Sequence, residues 1–329
     1  MKIATVSSHS ALQVLKGAKD EGFETVLLCT PDRKSTYERF PVADEYFMIE
    51  NFNDLAKPEV QDELLEKDVV MVPNGSFVEY IGAKAVLDFK VPMFGNKKVL
   101  EWESDRNKGH SWFEKAGIHV PKNLKDPSEI DRLVMVKYPG ARGGRGYVLV
   151  ESEKEFNEKV GDFDPDKIFI QEYILGTRFY PSFFYSSLEK ENELTGIDIR
   201  YESNADGLPR MPTPVYMPPT YVVTGNTPVV IRESLLPRLY KMADDLVSTS
   251  QKLFSPGMIG PYCMEMVITD NLDMVVFEIS ARIVAGTNIW DPGSPYMAWK
   301  YGEPISMGRR VAMEMKRAEK EGRLEEILS

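Results

Sequence analysis

The first hundred residues alternate strand-like and helix-like segments, and this alternation is the strongest constraint on the fold. Apolar runs such as KIATVSS, FETVLLCT and VVMVPNG are separated by amphipathic stretches such as ALQVLKGAKDEG and PEVQDELLEKD. An order of this kind predicts a parallel sheet covered by helices. Because ligands bind beyond the carboxyl ends of parallel strands, the loops SSHSA and PNGSFVE are candidate binding positions.

The remainder of the chain has a different pattern. A long helical stretch, KKVLEWESDRNKGHSWFEKAG, precedes two short strand-like runs that flank a glycine-rich loop. From about Gly176 onward, longer apolar runs predict a mostly antiparallel unit, in which CMEMVITD and MVVFEIS form a hairpin closed by DNLD. We therefore predict an α/β fold that is α+β in its C-terminal part, with units at residues 1–97, 98–175 and 176–329.

Composition narrows the class of protein. The 329 residues are 43% hydrophobic, which is sufficient for the cores of two or three units. A net charge of −11, from 51 acidic and 40 basic residues, argues against a nucleic acid or an anionic membrane as partner. Cys29 and Cys263 lie in apolar runs typical of buried thiols in a reducing compartment. With neither a signal-peptide pattern nor a long uncharged apolar run, we expect a cytoplasmic protein.

Two glutamates stand in apolar strand runs on either side of the predicted hairpin turn. Glu265 lies in MEM and Glu278 in FEI, so the two carboxylates are placed to face each other. Neighbouring buried carboxylates repel each other unless a cation lies between them, and Mg²⁺ bound to ATP phosphates would satisfy both. The alternative is that both side chains face solvent, and the pattern alone favours neither.

The stretch PGARGGRGY joins the strand-like runs VMVK and YVLV. It lacks the GK[ST] ending of a P-loop, and a strand follows it where a dinucleotide-binding turn would open a helix. It is therefore either a flexible hairpin or a flap that covers phosphates. Lys137 ends the preceding strand within reach of such a phosphate, although a solvated lysine is the commoner case at a strand end.

The segment IFIQEYILG is apolar except at Gln171 and Glu172, and it becomes apolar again at Tyr173 and Ile174. Such a segment offers backbone groups to an adenine edge while apolar side chains cover the ring. The alternative is an ordinary core strand whose polar pair faces solvent.

His9 follows the first predicted strand and precedes a helix, with Ser8 or Ser10 available as N-cap. Helix N–H groups and an imidazole together would form an anion site, although a lone histidine is more often structural. Ser76 occupies the equivalent place after a later strand. Neither a Ser-His-Asp set nor a Cys/His zinc spacing is present in the sequence.

Taken in order, KAGIHVP, VMVKYPGARGGRGYVLV, IFIQEYILG, CMEMVITD and VFEISARIVAGTN resemble the motifs of the ATP-grasp superfamily. Its enzymes activate a carboxylate as an acyl phosphate and couple it to an amine. SSHSALQVLKGAKDEGF, PNGSFVEYIG, GARGGRGY and TGNTPVVIRESLL are more specifically similar to archaeal formate-dependent ligases that formylate 5-aminoimidazole-4-carboxamide ribonucleotide (AICAR). The resemblance implies that formate and ATP give formyl phosphate, which the 5-amino group of AICAR attacks. The formamido product (FAICAR) leads to IMP in purine biosynthesis.

The resemblance also implies the roles of individual residues. His9, Ser76 and Asn226 would contact AICAR, and Glu265 and Glu278 would bind Mg²⁺ or Mn²⁺. ATP would be held by Lys137, Gly140, Arg142, Gly143, Gly144, Gly146, Gln171, Glu172, Tyr173, Ile174 and Glu202. The sequence departs from the frequent E-x-N-x-R motif at Ser280, which stands in place of asparagine and weakens a third metal ligand.

Arg282 follows Glu278 by four residues and is the candidate catalytic residue, placed to stabilise charge on the transferring phosphoryl group or the acyl phosphate. Two alternatives remain open: a ligase for a different small acid and amine, and a nucleotide-binding regulator without turnover. The presence of Lys137, Arg282 and both glutamates argues against the regulator. We expect AICAR and formate as partners and a homo-oligomeric assembly, without nucleic acid or membrane.

Overall fold

A computed structural model describes residues 1–75, 77–138, 147–165, 167–211 and 219–329. In these ranges the strands are β1 (Lys2–Val6), β2 (Thr25–Cys29), β3 (Glu45–Met48), β4 (Val69–Met71), β5 (Asn123–Leu124), β6 (Val134–Lys137), β7 (Tyr147–Val150), β8 (Phe169–Glu172), β9 (Thr177–Ser186), β10 (Glu191–Glu202), β11 (Val223–Pro228), β12 (Gly260–Ile268) and β13 (Met274–Ser280). The helices are α1 (Ala11–Asp20), α2 (Pro31–Tyr37), α3 (Pro58–Glu66), α4 (Phe77–Ile81), α5 (Ala83–Leu87), α6 (Lys97–Ser104), α7 (Arg106–Lys115), α8 (Glu153–Lys159), α9 (Leu236–Leu253), α10 (Pro295–Tyr301) and α11 (Met307–Glu321).

The N-terminal strands form a parallel sheet in the order β3-β2-β1-β4, as the alternating pattern predicts. All five residues of β2 are buried, which explains why the strand is apolar from Val26 to Cys29. Strands β1 and β4 are neighbours, so the loops that follow them lie side by side at the carboxyl edge. This edge is where the sequence analysis places ligand-binding loops.

Helix α11, from the C-terminal end of the chain, packs on α1 through two glycines. A Cβ atom on Gly17 would lie 2.1 Å from the backbone nitrogen of Arg309, and one on Gly308 would lie 2.0 Å from the carbonyl oxygen of Gln13. Only glycine permits the two backbones to approach so closely. The parallel sheet is thereby attached to the C-terminal part of the chain.

The small antiparallel sheet has the order β5-β8-β6-β7. Strands β6 and β7 pair from Val134 opposite Val150 to Lys137 opposite Tyr147, which confirms the two strands predicted on either side of the glycine-rich loop. The loop itself, residues 139–146, lies outside the described residues. Phe156 of α8 is fully buried in the core beneath this sheet.

The large antiparallel sheet has the order β11-β10-β9-β12-β13. One face carries apolar side chains, among them Phe183, Tyr262 and Met264, and packs on α7 and α9. Trp112 of α7 is fully buried there, and its indole Nε1 donates to the carbonyl oxygen of Leu246 at 2.9 Å. The opposite face is polar and forms the floor of a cleft.

The long helix expected after Asn96 is instead two helices, α6 and α7, that meet at Asp105. The backbone of Asp105 is extended, with φ −104° and ψ 110°, and its carboxylate accepts from the N–H groups of Asn107 and Lys108. An aspartate that caps the next helix competes with continuation of the previous one, and a helical pattern alone does not reveal that competition.

Two further features concern the cysteines and the helices of the described ranges. Cys29 and Cys263 are both buried and do not form a disulfide, as predicted. Among the helices in the described ranges, none combines the length and the apolar character that crossing a membrane requires.

Candidate active site

A cleft of about 840 Å³ lies between the small sheet, the polar face of the large sheet and the loops of the parallel sheet. Cavities of roughly 300–1,000 Å³ are typical of small-molecule sites. His9, Lys137, Glu202, Glu278 and Arg282 all border this cleft. Residues that are predicted to bind ATP, the metal ion and AICAR thus come together in one cleft from distant parts of the chain.

The two predicted metal ligands face each other directly. Glu265 pairs with Glu278 across β12 and β13, and the pairing becomes irregular immediately after Glu265. Glu265 is buried, whereas Glu278 opens into the cleft. The protein around Glu278 removes hydration from its carboxylate and, with Glu265 as a close negative neighbour, raises its pKa to about 7, although Lys137 opposes the shift. A cation between the two carboxylates would relieve this repulsion.

The buried carboxylate of Glu265 is held by Arg200 and Ser280. Arg200 Nη1 and Nη2 each donate to one carboxylate oxygen at 3.0 Å, and Ser280 Oγ donates to Oε1 at 3.1 Å. The guanidinium also lies 3.6 Å from the ring centroid of Tyr180. The residue that replaces asparagine in the superfamily motif therefore orients a metal-ligand candidate. Each carboxylate oxygen accepts up to two bonds, so Oε2, with one bond from Arg200, keeps capacity for a cation.

Sequence reasoning did not single out Arg200, although a signal for it was present. Asp198, Arg200 and Glu202 alternate with apolar or aromatic residues along β10, and alternate residues of a strand share a face. Charged side chains on one face of an otherwise buried strand indicate a polar cleft rather than a core. The same alternation along β10 indicates Asp198, which is likewise absent from the residues predicted from the sequence.

Arg282, the predicted catalytic residue, is held by Glu103 at the end of α6. Arg282 Nη2 lies 3.3 Å from Glu103 Oε1, and the N–H of Ala281 donates to Glu103 Oε2 at 2.9 Å. Burial raises the pKa of Glu103, while the positive charge of Arg282 lowers it. Nothing in the local sequence of α6 indicates this role for Glu103.

His9 lies beside Arg282 at the carboxyl edge of the parallel sheet. A Cβ atom on Gly75 would lie 2.0 Å from His9 Nε2 and 3.3 Å from Arg282 Cζ, so Gly75 packs against both side chains. Burial, and then the charges of Arg282 and Arg200, lower the pKa of His9 to about 4. The imidazole is therefore neutral near pH 7.

The predicted N-cap beside His9 differs in detail. Ser10 occupies the N-cap position of α1, but it has a left-handed backbone with φ 70° and its side chain does not cap the helix. Its hydroxyl donates to the carbonyl oxygen of Val284 at 3.1 Å. The Ser10 hydroxyl therefore bonds to the C-terminal part of the chain instead of capping α1.

The nucleotide-contact candidates line one side of the cleft. Lys137 Nζ donates to Gln171 Oε1 at 2.9 Å, and the Tyr173 hydroxyl is 2.5 Å from that of Tyr221. The Glu172 carboxylate accepts from Arg132 at 3.1 Å. Ile174 borders the same side of the cleft.

Glu202 is held by a residue that the sequence analysis did not name. Arg178 Nη1 donates to both carboxylate oxygens of Glu202 at 2.7 Å, and the guanidinium lies 4.0 Å from the ring centroid of Tyr221. Tyr221 stacks in turn on Tyr147 of the small sheet, with 5.5 Å between the ring centroids. These contacts connect the two antiparallel sheets across the cleft.

Asn226 lies opposite Arg200 in the pairing of β10 with β11. Its Nδ2 donates to Asp198 Oδ2 at 2.7 Å. The remaining predicted contacts, Ser76, Gly140, Arg142, Gly143, Gly144 and Gly146, lie outside the described residues.

Comparisons with known proteins identify the family. Residues 3–124 match a family model described as a protein of unknown function (DUF1246), and residues 151–329 match one described as a domain of unknown function (DUF1297). A 5-formaminoimidazole-4-carboxamide-1-(beta)-D-ribofuranosyl 5'-monophosphate synthetase of Methanobrevibacter smithii is 47% identical over 341 aligned positions, which cover 99% of this chain and 94% of that protein.

Solved structures agree with the sequence comparison. The crystal structure of an IMP biosynthesis protein PurP from Thermococcus kodakaraensis superposes with a TM-score of 0.82 at 33% identity, covering 99% of this chain and 100% of that one. The biotin carboxylase domain of the Hydrogenobacter thermophilus 2-oxoglutarate carboxylase, in complex with MgADP, shares the fold with a TM-score of 0.66 at 17% identity, covering 95% of this chain and 69% of that one.

The three sheets and the cleft between them define an ATP-grasp enzyme, as the motifs predict. More narrowly, the chain belongs to the family of 5-formaminoimidazole-4-carboxamide-1-(beta)-D-ribofuranosyl 5'-monophosphate synthetases. The resemblance inferred from the motifs is thereby confirmed.

Proposed function

We propose that this protein is a ligase that formylates AICAR with formate and ATP, giving FAICAR, ADP and phosphate. The observation that carries the proposal is the meeting of the acidic pair, Glu265 and Glu278, with His9 and Arg282 in one cleft, in a chain of this family. A formate oxygen attacks the γ-phosphorus of ATP and releases ADP. The 5-amino nitrogen of AICAR then attacks the formyl carbon, phosphate leaves, and the nitrogen loses a proton.

The metal site suits Mg²⁺, or Mn²⁺ in its place. Two facing carboxylates, one of them open to the cleft, match a cation that takes few protein ligands and completes its shell with phosphate oxygens and water. When bound, the ion neutralises charge on the ATP phosphates.

The remaining ATP contacts lie on the side of the cleft formed by the small sheet. Lys137, at the end of β6, approaches the phosphates together with the glycine-rich loop of residues 139–146. On the neighbouring strand, the backbone of residues 171–174 contacts adenine, and Ile174 supplies an N–H donor. Glu202, fixed by Arg178, accepts from the ribose hydroxyls.

AICAR binds on the side of the parallel sheet. His9, Ser76 and Asn226 contact it, and the neutral imidazole of His9 supplies one N–H donor. Arg282, in contact with Gly75 beside His9, lies between the two substrates and stabilises negative charge on the formyl phosphate. Excluding water from this position protects the reactive intermediate from hydrolysis.

The proposal is tested with the purified protein, ATP and Mg²⁺, omitting formate and AICAR in turn and following ADP and product mass. Formation of ADP and FAICAR that requires both co-substrates supports the proposal, and the same assay with Mn²⁺ compares the two metals. If a different acid and amine drive ADP release, that amine is the acceptor and the assignment of AICAR is wrong. Absence of turnover with every pair would indicate a nucleotide-binding protein without ligase activity.

We also propose that the protein acts in the cytoplasm as a homo-oligomer. Trp299 is 70% exposed on α10, and contact with a further subunit would remove this large apolar side chain from water. Light scattering of the purified protein tests the assembly, and a monomeric mass at working concentration contradicts it.

A further inference from the structure

Asp198 is a buried carboxylate beside the cleft, and neither the motifs nor the proposed reaction assign it a role. It is 1% exposed and lies on the same face of β10 as Arg200 and Glu202. Both terminal nitrogens of Arg200 donate to Glu265. Asp198 instead accepts a hydrogen bond from Asn226 Nδ2 at 2.7 Å, and this contact indicates its role.

The carboxylate of Asp198 is confined by the turn that follows β13. A Cβ atom on Gly286 would lie 2.2 Å from Asp198 Oδ1 and 2.3 Å from its Cγ, so only glycine leaves room for the carboxylate. The same turn is attached to β10 by Trp290, whose Nε1 donates to the carbonyl oxygen of Ile197 at 3.2 Å. Asp198 is consequently held in place from behind.

The contact with Asp198 decides which way the Asn226 amide faces. Burial raises the pKa of Asp198 to about 6, so its carboxylate is mostly ionised above pH 7 and only accepts hydrogen bonds. The NH₂ group of Asn226 therefore turns toward it and the carbonyl Oδ1 turns away. The reversed amide would place two acceptors against each other in a buried setting, which is costly. Without Asp198, the amide would be free to present either end.

We infer that Asp198 is a positioning residue: it makes Asn226 present an acceptor oxygen to AICAR, so the group recognised there is a hydrogen-bond donor. The inference rests on the proposed function. AICAR carries suitable donors in its amine, carboxamide and ribose hydroxyl groups. A substrate analogue that places only an acceptor at this position is rejected, because two acceptors then oppose each other.

The test compares Asp198→Asn with the exchanged pair Asp198→Asn/Asn226→Asp. In the single variant, either amide can flip, and the dissociation constant for AICAR rises about tenfold or more. In the exchanged pair, the amide introduced on β10 donates to the carboxylate introduced on β11. The second oxygen of that carboxylate again presents an acceptor, so AICAR affinity returns to within a few-fold of wild type. Isothermal calorimetry measures AICAR binding, and steady-state kinetics measure KM for AICAR, KM for ATP and kcat.

A matched control exists on the same strand. Asn192 Nδ2 donates to Asp244 Oδ1 at 2.8 Å, away from the cleft, and Asp244→Asn removes an exposed carboxylate that accepts the same kind of hydrogen bond. This variant should leave both substrates unaffected. Gly286→Ala provides a second approach to Asp198, and it should weaken AICAR binding while KM for ATP stays within about twofold of wild type.

The outcomes separate the inference from the proposed function. If wild type binds AICAR and Asp198→Asn leaves that affinity unchanged, the inference is wrong although the function stands. If Asp198→Asn raises KM for ATP as much as KM for AICAR, and the exchanged pair restores neither, the role is structural and the inference is again wrong. If the wild-type protein does not bind AICAR, both the inference and the proposed function are wrong. Thermal melts of every variant establish that each is folded.

Discussion

The guanidinium of Arg282 lies against the partly buried carboxylate of Glu103, with 3.3 Å between Nη2 and Oε1. Glu103 also accepts from the N–H of Ala281, so one side chain holds both Arg282 and the backbone next to it. Arg282→Ala should lower kcat by about 10²–10³-fold, the range found when a group that stabilises transition-state charge is removed. Binding of a non-hydrolysable ATP analogue should be retained.

Glu103→Gln should have a smaller effect in the same direction, because the amide still accepts a hydrogen bond but no longer attracts the guanidinium. Kinetics with saturating ATP, formate and AICAR measure it. Glu101→Gln, on the same helix and paired with Lys108, is the control and should leave kcat unchanged. Full activity of Arg282→Ala would remove Arg282 from the mechanism.

Gly75→Ala should displace the His9 imidazole, because the added Cβ would lie 2.0 Å from Nε2. We expect KM for AICAR to rise about tenfold or more, while ATP binding stays near the wild-type value. Calorimetry with each ligand separates the two effects. Gly109→Ala is the matched control, since the nearest atom to its Cβ is the Trp102 carbonyl oxygen at 3.9 Å. Equal loss of both ligands would contradict a local role for Gly75.

The lowered pKa of His9 predicts a pH-dependent stability. The folded-state pKa, about 4, lies below the ordinary value of 6.5. Above 6.5 neither state binds the proton, whereas between 6.5 and 4 the unfolded state binds it and the folded state does not, so stability falls as pH falls. Between about pH 7.5 and about pH 5 this costs up to about 2 kcal/mol.

The comparison with His9→Gln isolates this contribution. Urea unfolding at both pH values should show that wild type loses more stability on acidification than the variant does, because all other titrating groups are common to both. An equal loss in the two proteins would mean that His9 keeps its ordinary pKa in the folded state.

A buried ion cluster attaches α11 to the large sheet. Arg310 is 4% exposed and donates to Glu193 at 2.8 and 3.0 Å and to Glu314 at 2.9 Å. Arg310→Ala should destabilise the protein by about 3–5 kcal/mol, because two buried carboxylates lose the guanidinium that lies between them. Arg317→Ala, on the exposed side of the same helix, should cost no more than about 1 kcal/mol. Denaturant midpoints measure both, and similar values would contradict the assignment.

Several parts of the site were predictable because their signals are local. Glu265 and Glu278 flank a turn within one hairpin, so strand alternation and spacing were sufficient to place them opposite each other. Lys137 and residues 171–174 lie at the ends of strands that are recognisable from apolar runs. The roles of these residues, and the domain boundaries at residues 97 and 175, stay predictions.

Other parts had no local signal. Asp105 interrupts a continuous helical pattern because its side chain caps the following helix, and Ser10 gives up the cap of α1 to contact Val284. In both cases a specific hydrogen bond outweighs the general propensity of the segment. Arg200 had a detectable pattern on β10, but its partner Glu265 lies on another strand.

By itself, the sequence determined the parallel sheet, the hairpin with its acidic pair and the family, since periodicity and motifs are properties of neighbouring residues. Only the tertiary structure decided that Glu103 holds Arg282, that Gly75 packs closely against His9 and that Asp198 accepts a hydrogen bond from Asn226. Glu103 and Ala281 are separated by 178 residues, and such contacts follow from how the sheets pack together. The physical reason is that burial and charge depend on every element around a residue, whereas a sequence pattern reports only the element that contains it.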